Sequence, residues 1–366
     1  MESPRVLFGR GAIAQVGAEA EKLGDRILLI CTPSLEASEA AGRIRKSLGP
    51  RLVGEFDRVR PHVPAETVAA ATRLAAEHRP DVVIALGGGS AIGLGKNVVI
   101  SPAPVYGGGG RGRGEGREGG LIAIPTTYAG SEMTSVYGVR DPDKGVKHVR
   151  RDPSALPKVA IYDPDLFLDL PADVTAATAM NALAHCVEAV YARDVDPSVP
   201  PVALEGIRHI VRALPVTVAN GHDLEAREEL LRGAQLGATS IANATMGLHH
   251  GLCHVLGGRT GIAHGVLNGI MLSHVMRYNA DAVPEAMGEI ADAMDAGSRI
   301  KDAEAGARFV AALLESLPIP RRLSETGMRP ELLDVVAVDA AANATVRANP
   351  KPAGAREIRE LLELAW

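Results

Sequence analysis

The chain has 366 residues, 46% of them hydrophobic, with 39 basic and 44 acidic residues and a formal charge of -5. Such a length fits roughly two domains with sizeable cores and excludes a mini-protein or a mainly disordered chain. The near-balanced charge, without a basic stripe or a basic-aromatic interleave, argues against nucleic acid and for a small-molecule partner. Cys31, Cys186 and Cys253 are odd in number and widely separated, which fits a reducing cytoplasm rather than a disulfide framework or a CxxC zinc site. The N-terminus has no apolar h-region and no run of about 18 apolar residues occurs, so a soluble chain without export signal or membrane anchor is expected.

Along the chain, the N-terminus leads into a short strand-like segment, and Arg26-Ile27-Leu28-Leu29-Ile30-Cys31 then reads as a buried parallel strand ending in Thr32-Pro33. Helical periodicity follows from Leu35 to Leu48 and from Val68 to His78. Asp81-Val82-Val83-Ile84-Ala85-Leu86 is a second β-branched run, and Gly87-Gly88-Gly89-Ser90 opens a new helix. Strand, glycine turn and helix in that order predict a doubly wound nucleotide-binding sheet. Nine glycines fill the stretch from Gly107 to Gly120 and read as a surface loop, lacking the spacing of a P-loop. Leu121-Ile122-Ala123-Ile124 and Val159-Ala160-Ile161-Tyr162 are further strands, and from Ala172 onward the periodicity is helical. The expected fold is therefore α/β, a Rossmann-like dinucleotide-binding domain over residues 1–165, followed by an all-helical domain over residues 166–366.

Glycines at a strand's C-terminal end let the backbone approach a pyrophosphate, and the next helix offers unpaired N–H groups and the positive end of its dipole. A tight turn needs glycine too, but Lys96 adds a cation, and Thr126, Thr127, Ser131 and Thr134 at another strand end add hydroxyls on the same rim. The second constellation is polar groups at helical spacing in an apolar stretch: Asn181 with His185, and His250 with His254, each four apart, then His264. Clustered histidines of this kind predict a shared ligand. The run from His250 to His254 lacks the glutamate of HExxH, so a zinc peptidase is excluded. Cys186 and Cys253 adjoin histidines but point about 100° away on a helix, as small buried hydrophobes.

These residues resemble the iron-containing (group III) alcohol dehydrogenases. The likeness is carried, in order, by Gly87-Gly88-Gly89-Ser90, the run Pro125 to Thr134, Asp163-Pro164-Asp165-Leu166, Met180 to His185, and His250-xxx-His254 with His264-Gly265. The longer strings around Tyr128-Ala129-Gly130-Ser131-Glu132-Met133, Gly247 to Gly258 and Asn349-Pro350-Lys351-Pro352 are similar to the maleylacetate reductase branch. The resemblance implies the dehydroquinate-synthase-like fold of that family, a homodimer, and NADH or NADPH held at Thr32, His62, Gly87, Gly88, Gly89, Ser90, Thr126, Thr127, Ser131, Thr134, Lys147 and Leu166. Metal-dependent members hold iron or zinc with one Asp and three His, which map to Asn181, His185, His250 and His264. The amide at Asn181 removes the anionic ligand, so a metal-free site is expected; Glu188, one further turn along that face, could substitute as the carboxylate, but a helix-surface or interdomain ion pair is its expected use.

By the same resemblance the catalytic set is His254, His250, His185, His264, Asn181 and Tyr128. The implied reaction is hydride transfer to the C=C bond of a 4-oxo-2-enoic dicarboxylate. Tyr128, Arg259, Arg347 and Lys351 are candidate partners for its carboxylates. A metal-dependent alcohol dehydrogenase, a nonredox lyase of the same fold and a nucleotide-binding scaffold are the alternatives.

Overall fold

The computed structural model describes residues 3–101, 119–141, 146–295 and 302–366, apart from the side chains of 141 and 146–148. The Lys147 side chain and all of the glycine tract before Gly119 lie outside the described residues. The chain divides into two compact units, one of Met1–Thr127 with Ser131–Leu168, the other of Tyr128–Gly130 with Asp169–Trp366.

The first unit is built on a sheet of β1 (Arg5–Phe8), β2 (Ile27–Cys31), β3 (Leu52–Phe56), β4 (Val82–Gly87), β5 (Gly120–Pro125) and β8 (Val159–Tyr162). Its order is β1-β8-β5-β4-β2-β3, with every pairing parallel. Between β5 and β8 the hairpin strands β6 (Val136–Asp141) and β7 (Val146–Arg151) pair antiparallel. Helices α1 (Val16–Leu23), α2 (Glu39–Leu48), α3 (Ala65–His78) and α4 (Gly89–Val99) complete the unit.

The central strands are apolar throughout because both faces are covered. Alternate residues feed different cores: Val82, Ile84 and Leu86 of β4 join Ile27, Leu29, Ile122 and Ile124, while Val83 and Ala85 join Leu28, Ile30, Leu121 and Ala123. β2 connects outward to β3, whereas β4 returns on its other side, so the strand order reverses between β2 and β4. The crevice beyond the carboxyl ends of strands at such a reversal is where a parallel α/β sheet binds its ligand.

The second unit is helical: α5 (Ala172–Val190), α6 (Val199–Ala219), α7 (Leu224–Ala242), α8 (Leu248–Thr260), α9 (His264–Asn279), α10 (Pro284–Ala293), α11 (Ala305–Glu315), α12 (Leu332–Ala341), α13 (Ala344–Arg347) and α14 (Ala355–Leu364). α5 is buried on all sides over most of its length, Asn181, His185 and Glu188 included. A helix enclosed in this way obliges its polar side chains to find partners inside the protein. No described helix is long and apolar enough to cross a membrane.

Candidate active site

At the carboxyl rim of the sheet the segments carrying Thr32, Gly87 and Thr126 meet. The Thr32 N–H donates to the Leu86 carbonyl, and the Thr126 N–H donates to the Gly87 carbonyl, so the segments after β2 and β5 both flank the end of β4. Gly87 has φ +146, and a Cβ there would lie 2.0 Å from Thr32 Oγ1 and 2.9 Å from the Ala91 Cβ. Only glycine satisfies both the backbone angle and the space. Gly88 ends against Thr127 and serves as the N-cap of α4 without a side-chain cap; the Ala91 N–H is taken by the Gly88 carbonyl, and the N-terminal end of the helix presents its positive dipole to an anion. Ser90 and Thr127 are half-buried beside them. His62 has left-handed φ 62, as does the next residue, Val63, with φ 54, in the connection before α3. Leu166 packs on the sheet's core from the short turn Pro164–Phe167.

Lys96 corrects the sequence reading. It does not face the phosphate turn but is fully buried, with Nζ donating to Ser131 O at 2.6 Å, Val136 O at 2.8 Å, Thr134 Oγ1 at 3.2 Å and Ser131 Oγ at 3.3 Å. Burial pushes its ammonium down to about 7. Its work is to tie the segment after β5 to α4, and the hydroxyls of Ser131 and Thr134 serve it as acceptors. Glu132, buried next to this contact, accepts from the Tyr162 hydroxyl at 2.9 Å, and burial raises its carboxyl.

In the helical unit the predicted histidines do converge. The rings of His185 and His250 stack with centroids 4.8 Å apart, those of His254 and His264 stack at 5.1 Å, and His250 lies 5.9 Å from His264 and 6.4 Å from His254. His185 and His250 are buried, while His254 and His264 are half-buried. Asn181 sits one turn before His185 and donates through Nδ2 to the Ala129 carbonyl at 3.3 Å. Asn181 Oδ1, His185 Nδ1 and His250 Nε2 are buried without a hydrogen-bond partner. Orphaned buried polar atoms are rare in folded proteins, and three in one cluster mark a place for a polar ligand. Burial, with the neighbouring histidines, holds His185 well below the usual imidazole range, so it is neutral.

Glu188 also departs from expectation. Instead of an ion pair at a surface it is buried and caps the N-terminus of α8: Oε1 accepts from the N–H of Gly247 at 3.2 Å and of His249 at 3.0 Å. Its Oε2 accepts from the His250 N–H at 3.2 Å and from His250 Nδ1 at 2.6 Å. Burial works against the charged form, but the hydrogen bond and charge of His250 outweigh it and hold the carboxyl below the usual range. Because a carboxylate only accepts, the His250 proton sits on Nδ1 and Nε2 is presented to the cluster.

Glu188, His249 and His250 bring three ligand-type atoms within 4.8 Å of one another. Those of Glu188 are spent on α8, and His249 Nε2 contacts the Asn268 carbonyl at 3.1 Å, an acceptor that requires the proton there. The remaining His249 Nδ1 faces His250 Nδ1 at 3.4 Å. These atoms are hydrogen-bonded to one another and to the backbone, and the polar side chains beside them, Asn181, His185, His250 and His264, include no carboxylate.

The candidate carboxylate partners are engaged elsewhere. Arg259 pairs with Asp339 at 2.7 Å, Lys351 pairs with Asp281 at 2.8 Å and lies over the Tyr278 ring, and Arg347 is exposed at the end of α13. Tyr128 is buried, and its hydroxyl accepts from Arg227 Nη1 at 3.2 Å. Arg227, which no motif singles out, is itself fully buried. Its only signal in the sequence is a charge on the apolar side of an amphipathic helix.

Comparison with known proteins identifies the family. Residues 3–164 match the family model for iron-containing alcohol dehydrogenase, and residues 175–366 match that for the C-terminal part of the Fe-containing alcohol dehydrogenase family. A maleylacetate reductase of Burkholderia cepacia is 39% identical over 99% of this chain and 96% of its own. The crystal structure of maleylacetate reductase from Agrobacterium tumefaciens superposes with a TM-score of 0.86 at 34% identity, covering 100% of this chain and 97% of that one. A 1,3-propanediol oxidoreductase gives a TM-score of 0.90 at 30% identity over 100% and 98% of the two chains.

Proposed function

Since the chain belongs to the iron-containing alcohol dehydrogenase family, an oxidoreductase family, we propose that it reduces maleylacetate to 3-oxoadipate with NADH or NADPH, in the breakdown of aromatic compounds, and that it does so without a metal. Full-length similarity to several maleylacetate reductases supports the substrate. The observation that carries the site is the convergence of Asn181 Oδ1, His185 Nδ1 and His250 Nε2, buried and unpartnered, in one histidine cluster.

The cofactor fits the rim of the first unit. The Gly87 turn has no room for a Cβ, and the N-terminus of α4 suits a pyrophosphate. Thr32, His62, Gly87, Gly88, Gly89, Ser90, Thr126, Thr127, Ser131, Thr134, Lys147 and Leu166 are assigned to it, Ser131 and Thr134 through positions that Lys96 fixes. When bound, the nicotinamide supplies a hydride.

In maleylacetate the C=C bond is conjugated to a ketone. Hydride added at the carbon β to the ketone pushes the electron pair onto the ketone oxygen, and a proton then completes the α carbon. The protein's task is to stabilise that enolate and deliver the proton. The buried Glu188 carboxylate holds the Nδ1 proton of His250 and so fixes the ring with Nε2 toward the enolate oxygen, the role assigned to it. His185 and Asn181 frame the same oxygen. His254 and His264 are assigned the proton transfer, being the half-buried members of the cluster.

A divalent metal is a poor fit to the donors present. Three imidazoles and an amide carry no negative charge, and the nearest carboxylate, Glu188, is consumed by the backbone of α8. By the family likeness the partner proposed is a small dicarboxylate and the assembly a homodimer. The free thiols of Cys31, Cys186 and Cys253, all buried, fit a cytoplasmic setting. Reduction with nicotinamide deuterated at the transferred position tests the chemistry. Deuterium is expected at the carbon β to the ketone of 3-oxoadipate; deuterium on the ketone carbon, giving an alcohol, contradicts it.

A further inference from the structure

We infer that Arg227 is a positioning residue that sets the preference for an anionic substrate, acting through the Tyr128 hydroxyl; this rests on the function proposed above. Arg227 lies in the first turns of α7, fully buried. Nε donates to Gly221 O at 2.8 Å, Nη1 to Thr175 Oγ1 at 2.8 Å and to Tyr128 Oη at 3.2 Å, and Nη2 to Leu170 O at 3.0 Å. Every one of these acceptors is neutral, and no carboxylate of the described residues pairs with this guanidinium. A buried cation normally comes with a counter-charge, because taking it out of water is costly. Here the hydrogen bonds are satisfied while the charge is left uncompensated.

One of these four hydrogen bonds reaches the three-residue segment Tyr128–Gly130, which belongs with the helical unit although its chain neighbours do not. Tyr128 accepts from Arg227, the next carbonyl, Ala129 O, accepts from Asn181, and a Cβ on Gly130 would lie 3.2 Å from His185 Cε1. A continuous line of contacts therefore links the guanidinium to the two α5 residues of the cluster. With its lone pair taken by a cation, the Tyr128 O–H is polarised into a stronger donor. An uncompensated positive charge in a low-dielectric interior also lowers the cost of bringing carboxylates to the cluster. Arg259 and Lys351, each paired with an acid, do not provide that.

The test compares wild type, Arg227→Lys and Arg227→Gln in turnover of maleylacetate and of pent-3-en-2-one, a neutral enone. A second measurement, titration calorimetry with succinate, reads dianion binding without turnover. In Arg227→Gln the ratio of kcat/KM for the dianion to that for the neutral enone is expected to fall about tenfold or more, mainly through KM, and succinate binding to weaken alike. Arg227→Lys, which keeps the charge, should restore most of the ratio. Equal losses on both enones, an unchanged ratio, or succinate binding indifferent to the substitution overturns the inference, because a merely structural role moves both substrates together. If Arg227→Gln does not fold, Arg227→Lys decides: loss of the dianion preference in that folded variant overturns the inference. Failure of wild type to turn over maleylacetate strikes the functional reading alone, and the succinate measurement still judges Arg227.

Discussion

At the scale of single residues, the structure distinguishes groups that face a ligand from groups that hold the scaffold. Gly87 belongs to the first kind. A methyl group at that position collides with Thr32 and Ala91 and requires a positive φ, so Gly87→Ala is expected to cost about 1–3 kcal/mol and to weaken NADH binding at least about tenfold. Denaturant unfolding and quenching of nicotinamide fluorescence read the two effects, and a variant with unaltered cofactor affinity would show that the turn does not carry the pyrophosphate. Asn181 is the other informative position. Asn181→Asp restores an anionic donor beside His185, His250 and His264, and elemental analysis after exposure to iron or zinc is expected to show near-stoichiometric metal in the variant. Wild type should hold little. Lys96 and Glu188 are residues whose type was plain in the sequence and whose use was not. Lys96 was read as a cation beside a phosphate and Glu188 as a helix-surface or interdomain ion pair, but a charged side chain's partner is fixed by tertiary packing and leaves no trace in local spacing.

At the scale of elements, the parts that were legible are those with an unbroken physical signature. β2, β4, β5 and β8 are buried on both faces, so their apolar runs stand out, and the glycine turn after β4 marks the ligand edge. β3, with Gly54 and Glu55 in its five residues, and the hairpin of β6 and β7, whose second strand carries Lys147, His148, Arg150 and Arg151, show no such run. Edge and hairpin strands take their shape from the partner strand rather than from their own composition. The last glycine of the long tract, Gly120, turned out to begin β5. α8 depends on another element for its stability: its open N-terminus is closed by Glu188 of α5. Glu188→Gln removes the charge from that cap and from His250 Nδ1, and it should destabilise the protein by about 3–5 kcal/mol and lower kcat. Thermal unfolding with parallel turnover assays checks both. A stable variant with full turnover would mean that neither the cap nor the Glu188–His250 hydrogen bond matters.

On the scale of the whole molecule, the buried titratable cluster ties stability to pH with a definite sign. Burial holds His185 far below the usual imidazole value of 6.5 and lowers His249 to about 4. The unfolded chain therefore takes up protons near pH 6.5 that the folded chain refuses, so the stability present above pH 6.5 is lost as pH falls toward 4. The contribution of Glu188, whose folded carboxyl lies below the usual 4.5, is lost only at still lower pH. Urea unfolding across this range should show the decline, and His249→Asn should flatten it by about 3 kcal/mol, the cost of keeping one such imidazole neutral. An unchanged slope would contradict the assignment of His249 as buried and neutral.

The account turns on a hydride reaching the enone of a dicarboxylate without help from a metal. The direct measurement is turnover of maleylacetate with NADH and with NADPH by the purified protein, taken before and after exhaustive chelation and paired with metal analysis of the same sample. The prediction is oxidation of reduced nicotinamide matched by 3-oxoadipate, unchanged by chelator, in protein with substoichiometric iron and zinc. No turnover with either cofactor, or activity abolished by chelation and restored by iron or zinc, would contradict it.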